Sequence, residues 1–117
     1  MIIMAFAPHT SKILPRLVCR RLRHCAVILP GAGDDLTLYQ FVRRNRVIRI
    51  PLRRRDIRIL RAHGWRMVYV SPGRTPDPAE FARAWTCVDM ARRALDLHAW
   101  WIQTPLALYK HLTRPPR

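Results

Sequence analysis

The chain has almost no lysine and very little negative charge. Of its 22 cationic side chains only Lys12 and Lys110 are lysines, and no carboxylate precedes Asp34. Seven acidic residues in 117 leave a formal charge of +15. No apolar run approaches the roughly 18 residues of a membrane span, and the clean apolar core of a secretory leader is missing. The three cysteines, Cys19, Cys25 and Cys87, match neither a paired metal spacing nor a disulfide framework. They read as reduced thiols, which points to an intracellular compartment. Gly31-Ala32-Gly33 is too short for a phosphate loop and lacks its lysine, so it reads as a turn. His9, His24, His63, His98 and His111 are scattered, with no cysteine or acidic neighbour at ligand spacing. No metal or cofactor is therefore expected. No serine or cysteine nucleophile stands out beside a histidine, so the chain does not read as a conventional enzyme.

What is present is arginine. Its planar fork grips phosphate bidentately and stacks on bases, whereas lysine acts more as a point charge. A GC-rich genome also inflates arginine, which would explain the choice of residue without removing the charge. Half of the residues are apolar, enough for a modest core in one domain and too few for a second.

Along the chain, residues 1–30 form a basic, acid-free start. On a helix from about Ser11 to Leu29, the residues Leu14, Val18, Leu22, Cys25 and Leu29 line one side and Arg16, Arg20 and Arg23 the other. Such a segment has the character of a mitochondrial targeting helix, and equally of a surface helix whose basic face meets RNA or solvent. A basic α/β core follows over 31–103, then a C-terminal helix and tail over 104–117. Pro30, Gly31 and Gly33 break the chain, and Asp34 or Asp35 would cap a short helix through Leu38 to Val42. Val47, Ile48 and Ile50 predict a strand from Arg46 to Leu52. A helix from Arg53 with Ile57 and Leu60 inward would end at Gly64, followed by a strand over Trp65–Val70 stopped by Ser71-Pro72-Gly73. Asp77, Pro78 and Glu80 announce another helix with Phe81, Ala84, Trp85, Val88, Ala91 and Leu95 on its core face. Thr104-Pro105 would start a last helix ending before Pro115.

The densest signal is a basic run. Between Arg43 and Arg66, ten of 24 residues are arginine, namely Arg43, Arg44, Arg46, Arg49, Arg53, Arg54, Arg55, Arg58, Arg61 and Arg66, opposed only by Asp56. At helical spacing Arg54, Arg58 and Arg61 make a stripe able to follow a phosphate backbone. Solvated charged faces usually mix both signs, and this one does not. Tyr39, Tyr69 and the Trp100-Trp101 pair are candidate stacking rings, while Trp65 and Trp85 read as core.

The segment Leu52-Arg53-Arg54-Arg55-Asp56-Ile57-Arg58-Ile59-Leu60-Arg61-Ala62-His63-Gly64-Trp65-Arg66-Met67-Val68-Tyr69-Val70 resembles the helix-then-strand signature late in the RAP domain, an RNA-binding module of mitochondrial and chloroplast proteins. The same signature occurs in very-short-patch-repair-like nucleases of the restriction-endonuclease-like fold. The resemblance, over about 52–95, implies a small restriction-endonuclease-like, RAP-like βαβα unit, here with additional N- and C-terminal helices. Nucleases of that fold need an acidic-x-Lys element for metal and water. Lys12 has no acid before it and Lys110 has Leu108 two residues back, so a noncatalytic version is implied. The aspartate-glycine-proline element and the glutamate-tryptophan pair common in RAP domains are also missing.

These observations lead to a noncatalytic RNA-binding component of a ribonucleoprotein assembly. A mitochondrial ribosome or organellar RNA-processing complex in the matrix fits best, with rRNA and protein subunits as partners and no small-molecule substrate. The other readings are a supernumerary subunit of a mitochondrial membrane complex, with the basic helix on anionic lipid, and a phage or toxin-type protein acting on nucleic-acid machinery.

Overall fold

The computed structural model describes residues 1–7, 24–43, 45–71 and 74–114. Five strands form one sheet: β1 Ile2–Ala7, β2 His24–Pro30, β3 Asp35–Arg43, β4 Arg46–Arg53 and β5 Arg66–Val70. The helices are α1 Arg54–Ala62, a 3-10 helix Pro78–Arg83, α2 Cys87–Leu95 and α3 Pro105–Thr113. The spatial order is β4-β3-β2-β1-β5, and every neighbouring pair is antiparallel. The protein is thus α/β, with β4 and β5 at opposite edges and α1 carrying the chain from one to the other.

The two middle strands explain the arrangement. In β1 all six residues are buried, and in β2 Cys25, Ala26, Val27 and Ile28 are fully enclosed. A strand covered on both faces shows a continuous apolar run rather than alternation. Ile2, Met4, Phe6, Cys25 and Val27 point to one layer, where Phe81, Val88, Met90, Ala91 and Leu108 meet them. Ile3, Ala5, Ala26 and Ile28 point to the other, covered by Ile57 of α1 with Leu60, Trp65 and Met67 at its border. The first layer is reinforced by edge-on ring pairs, Phe6 with Tyr109 at 5.3 Å and Tyr39 with Phe81 at 5.1 Å between centroids. Ile2 and Leu108, from the two ends of the chain, share this one cluster.

Four sequence expectations need correction. The helix expected over Ser11–Leu29 does not hold at its end, because His24–Pro30 is a strand paired with both β1 and β3. The rest of that expectation, residues 11–23, lies outside the described residues. The 3-4 spacing of Leu22, Cys25 and Leu29 imitates a helix, but the contiguous Ala26-Val27-Ile28 between them is buried on both faces of the sheet. The short helix through Leu38–Val42 is instead part of β3, where Leu36 and Leu38 alternate with Thr37 and Tyr39 across the sheet.

The third correction concerns the helix from Asp77. Asp77 does cap a first turn, accepting from the Ala79 N–H at 3.0 Å, yet Ala84 is extended at φ −69°, ψ 150° and the helix stops. Thr86 starts a new one: its hydroxyl accepts from the Asp89 N–H at 3.0 Å while the Asp89 carboxylate accepts from the Trp85 N–H at 2.9 Å. The second cap overrides continuity of the apolar face. Trp85, fourth among the corrections, is therefore turned out, 60% exposed instead of in the core.

The remaining elements match their signals. Gly64 has φ 94°, with Gly64 N–H donating to Arg61 O at 3.0 Å and Trp65 N–H to Leu60 O at 3.1 Å, the paired bonds of a Schellman terminus. The Thr104 hydroxyl caps α3 by accepting from the Ala107 N–H at 3.1 Å. Ile57 and Leu60 face the sheet as expected.

Phe6 anchors the inner strand β1 against α3, so Phe6→Ala should cost about 3–5 kcal/mol, a large share of the roughly 5–15 kcal/mol that stabilises a domain. Urea unfolding followed by circular dichroism would measure it, and a midpoint within error of wild type would show that β1 is not central.

Candidate nucleic-acid interface

The ten arginines of the basic run do not form a single patch. Arg43 pairs with Arg46 in the backbone register at the end of the β3–β4 hairpin, and Arg44 lies outside the described residues. Arg49 sits in mid-β4 opposite Tyr39, and Arg53 ends the strand opposite Asp35. Arg54, Arg55, Arg58 and Arg61 are all exposed on α1. Arg66 stands apart at the far edge. Its register with Phe6 places it on the layer opposite α1, where its guanidinium lies 5.5 Å from the centre of the Tyr109 ring.

Charge compensation separates these residues from Arg74, Arg92 and Arg93. Around α2, Arg92 and Arg93 pair with Asp89 at 3.6 and 3.4 Å, and Arg74 pairs with Glu80 at 3.8 Å and Asp96 at 3.5 Å. Arg92 also donates to the Ala99 carbonyl at 3.2 Å. These groups line a cleft of about 380 Å³ whose cations and acids neutralise one another. In the basic run Arg54 has a carboxylate partner, Asp34 at 3.5 Å, and both side chains are exposed. That pair contributes little. Asp56 is occupied by the backbone: its carboxylate accepts from the Arg53 N–H at 2.8 Å and starts α1. Among the described residues, the other arginines from Arg46 to Arg61 have no carboxylate within ion-pair distance.

Arg61 closes off one candidate ring. It donates to the Tyr69 hydroxyl at 3.2 Å and lies 5.9 Å from that ring's centre. Tyr39 is packed on Phe81 and buried. Trp100 and Trp101 stay exposed at 73% and 65%, edge-on to each other between α2 and α3.

Two features escape the sequence reading. The first is a cleft of about 480 Å³ between the hairpin and the 3-10 helix, on the layer opposite α1, with Tyr39, Asn45, Arg46, Val47 and Arg49 on one side and Pro78, Ala79 and Ala82 on the other. The second is a thiol pair. Cys25 on β2 and Cys87 in the first turn of α2 interact through their side chains, with His24 adjacent. Sharing one proton moves them apart. The hydrogen bond from Cys25, helped by His24, lowers Cys87 from 9.0 to about 4, whereas the same hydrogen bond and burial raise Cys25 well above its ordinary value. Only proximity in space reveals this, since the two cysteines are far apart in sequence. Among the described residues no three of His, Cys, Asp and Glu converge on a metal position.

No family model, curated protein or solved structure matches this chain.

The lowered pKa of Cys87 predicts more thiolate at neutral pH than an ordinary cysteine holds. Alkylation of Cys87 by iodoacetamide should change little between pH 6 and pH 7, where an ordinary thiol gains about tenfold per pH unit. Peptide mapping would separate it from Cys19 and from Cys25, which should stay unmodified. A tenfold gain at Cys87 would show an ordinary thiol.

Proposed function

We propose that the protein is a noncatalytic RNA-binding component of a ribonucleoprotein assembly, contacting phosphates through the arginines of β4 and α1. The observation that carries this is the lack of compensation. A run of exposed guanidinium groups with one weak ion pair repels itself and costs stability until a polyanion arrives. Guanidinium groups on a helix and an edge strand are held at fixed spacings, which suits a regular phosphate backbone.

The RAP-like, restriction-endonuclease-like assignment belongs to the same proposal. It draws support from the strand, helix, strand and helix order over β4, α1, β5 and α2, and from the Gly64 terminus. The absence of an acidic-x-Lys element in the sequence keeps the reading noncatalytic. A mitochondrial ribosome or organellar RNA-processing complex remains the assembly of choice, with one condition. Removing residues 1–30 would take away β1 and β2 from the middle of the sheet, so a targeting segment that spanned those residues would have to be retained.

A second reading, a subunit of a mitochondrial membrane complex, is favoured by the exposed Trp100 and Trp101, residues suited to an interface. Among the described residues no helix is long and apolar enough to cross a membrane. Association resistant to carbonate, without copurifying RNA, would select it.

Phosphate contact makes binding steeply salt-dependent. With about six contacts, affinity for RNA should fall roughly a thousandfold between 50 and 200 mM salt, measured by fluorescence anisotropy. Charge reversal at Arg54, Arg58 and Arg61 should weaken binding and flatten that dependence without changing the circular dichroism spectrum. Equal affinity at low and high salt would sink the proposal.

A further inference from the structure

Two thiols are brought together where α2 packs on the sheet. Cys25 is the second residue of β2, fully buried on the face that α2 covers, and Cys87 is the first residue of α2, partly buried against the same cluster. α2 is fixed there at its start, where the Thr86 hydroxyl accepts from the Asp89 N–H at 3.0 Å. Along its length Val88, Met90, Ala91 and Ala94 hold it in the core. The position of Cys87 is therefore set by a capped and packed helical turn rather than by a loop.

Three donors from β2 converge on the Cys87 sulfur: the Cys25 thiol, the Cys25 backbone N–H and the His24 side chain. They hold that sulfur beside the Cys25 sulfur and favour its anionic form, so negative charge sits on the member of the pair nearer solvent. A core cysteine that only fills space behaves as a small apolar side chain and needs no such partners. Here the outer sulfur has the character of a nucleophile. The inner one is protonated, shut off from solvent and in contact with it. A reactive thiol with a second thiol beside it is the arrangement that converts oxidation into a disulfide.

We propose that Cys25 and Cys87 are a reversible oxidation site for hydrogen peroxide, closing to an intramolecular disulfide between β2 and α2. In the first step the Cys87 thiolate attacks one peroxide oxygen. The O–O bond breaks, Cys87 becomes a sulfenic acid, and the departing hydroxide takes a proton from solvent to leave as water. In the second step the Cys25 sulfur attacks the Cys87 sulfur. The S–S bond forms, and the sulfenic hydroxyl leaves as water with the Cys25 proton. Two thiols are oxidised and one peroxide is reduced to two waters. A thiol reductant reopens the bridge by exchange. The bridge closes a loop of roughly 60 residues that contains β3, β4, α1, β5 and the 3-10 helix. It ties the helical layer covalently to β2, the middle strand of the sheet. The arginines of β4 and α1 take no part, so the site stands independently of the RNA reading.

The test treats the reduced full-length protein with a small excess of hydrogen peroxide, blocks the remaining thiols with iodoacetamide in denaturant, and maps the peptides without reduction. The expected product is a monomer lighter by two hydrogen atoms before alkylation, with the Cys25 and Cys87 peptides joined and Cys19 alkylated. Dithiothreitol should restore the starting mass. The bridged form should melt several degrees higher, because the closed loop restricts the unfolded chain. Cys25→Ala removes the second thiol, so peroxide should leave Cys87 as a sulfenic acid, and dimedone should label it at least about tenfold more than in wild type. The wild-type peptide map decides the matter even where that variant fails to fold. Three free thiols after peroxide, or a Cys87 oxidised beyond the sulfenic acid beside a free Cys25, would overturn the proposal. So would a bridge that includes Cys19 or a second chain. A bridged form that melts below the reduced one would show that closure strains the contact, and would overturn the pair as a site poised to close.

Discussion

Negative charge is the quantity this protein has least of, and the positions of its few carboxylates decide which surfaces are self-sufficient. Asp77 and Asp56 are taken up by backbone N–H groups at helix starts. Asp89 serves a cap and two arginines together, and Glu80 and Asp96 hold Arg74. The cleft beside α2 is thus balanced in charge, while Arg83, Lys110 and Arg114 of the same layer have no ion pair among the described residues. What remains for the arginines of β4 and α1 is Asp35, opposite Arg53 in the sheet but not ion-paired, and the solvent-exposed Asp34, which screens Arg54 weakly. The asymmetry is built into the chain: acids are clustered after Asp77, while arginines crowd the stretch from Arg43 to Arg66.

The fold tolerates such repulsion because its stability resides elsewhere. β1 and β2 are sealed on both faces, and most of the core lies between the sheet and the layer of α2 and α3. The arginines of β4 also protect the open edge of the sheet. Charged side chains and Pro51 discourage another strand from pairing there. Edge protection accounts for basic residues at Arg46, Arg49 and Arg53, but it would be met equally well by lysine or glutamate, and it says nothing about α1.

The sequence was most legible where an element carries its own end signals. Gly64 marks the end of α1, Thr104-Pro105 opens α3, and Val47-Ile48-Ile50 betrays β4, because each signal is local chemistry that tertiary packing leaves intact. It misleads in the N-terminal third. A central strand loses its alternation once both faces are buried, so Cys25–Ile28 reads as part of an amphipathic helix. The arginine density of the candidate site is visible as composition. Its division is not: Arg66 leaves the group because an odd or even position in β5 selects the face, and β5 pairs with β1 rather than with β4. The cleft under the hairpin needs Pro78–Ala82, which only the folded chain brings beside β4.

α1 is the element in which these constraints meet. Only Ile57 is buried on it, with Leu60 and the neighbouring Trp65 partly so, while four of its nine residues are arginine. At nine residues it is too short to be stable alone. It is held by its two ends, the Asp56 bond at the start and the Gly64 terminus at the finish, and by a thin apolar contact with Ile3, Ala5 and Ile28. Mutual repulsion of Arg54, Arg55, Arg58 and Arg61 acts directly against that hold. A polyanion removes the repulsion and adds charge-assisted bonds, so ligand binding and the local stability of α1 are coupled in the same direction. On the RNA-binding proposal the basic helix would be tied down weakly by the protein and more firmly by its ligand, which would account for a composition that the fold by itself does not need.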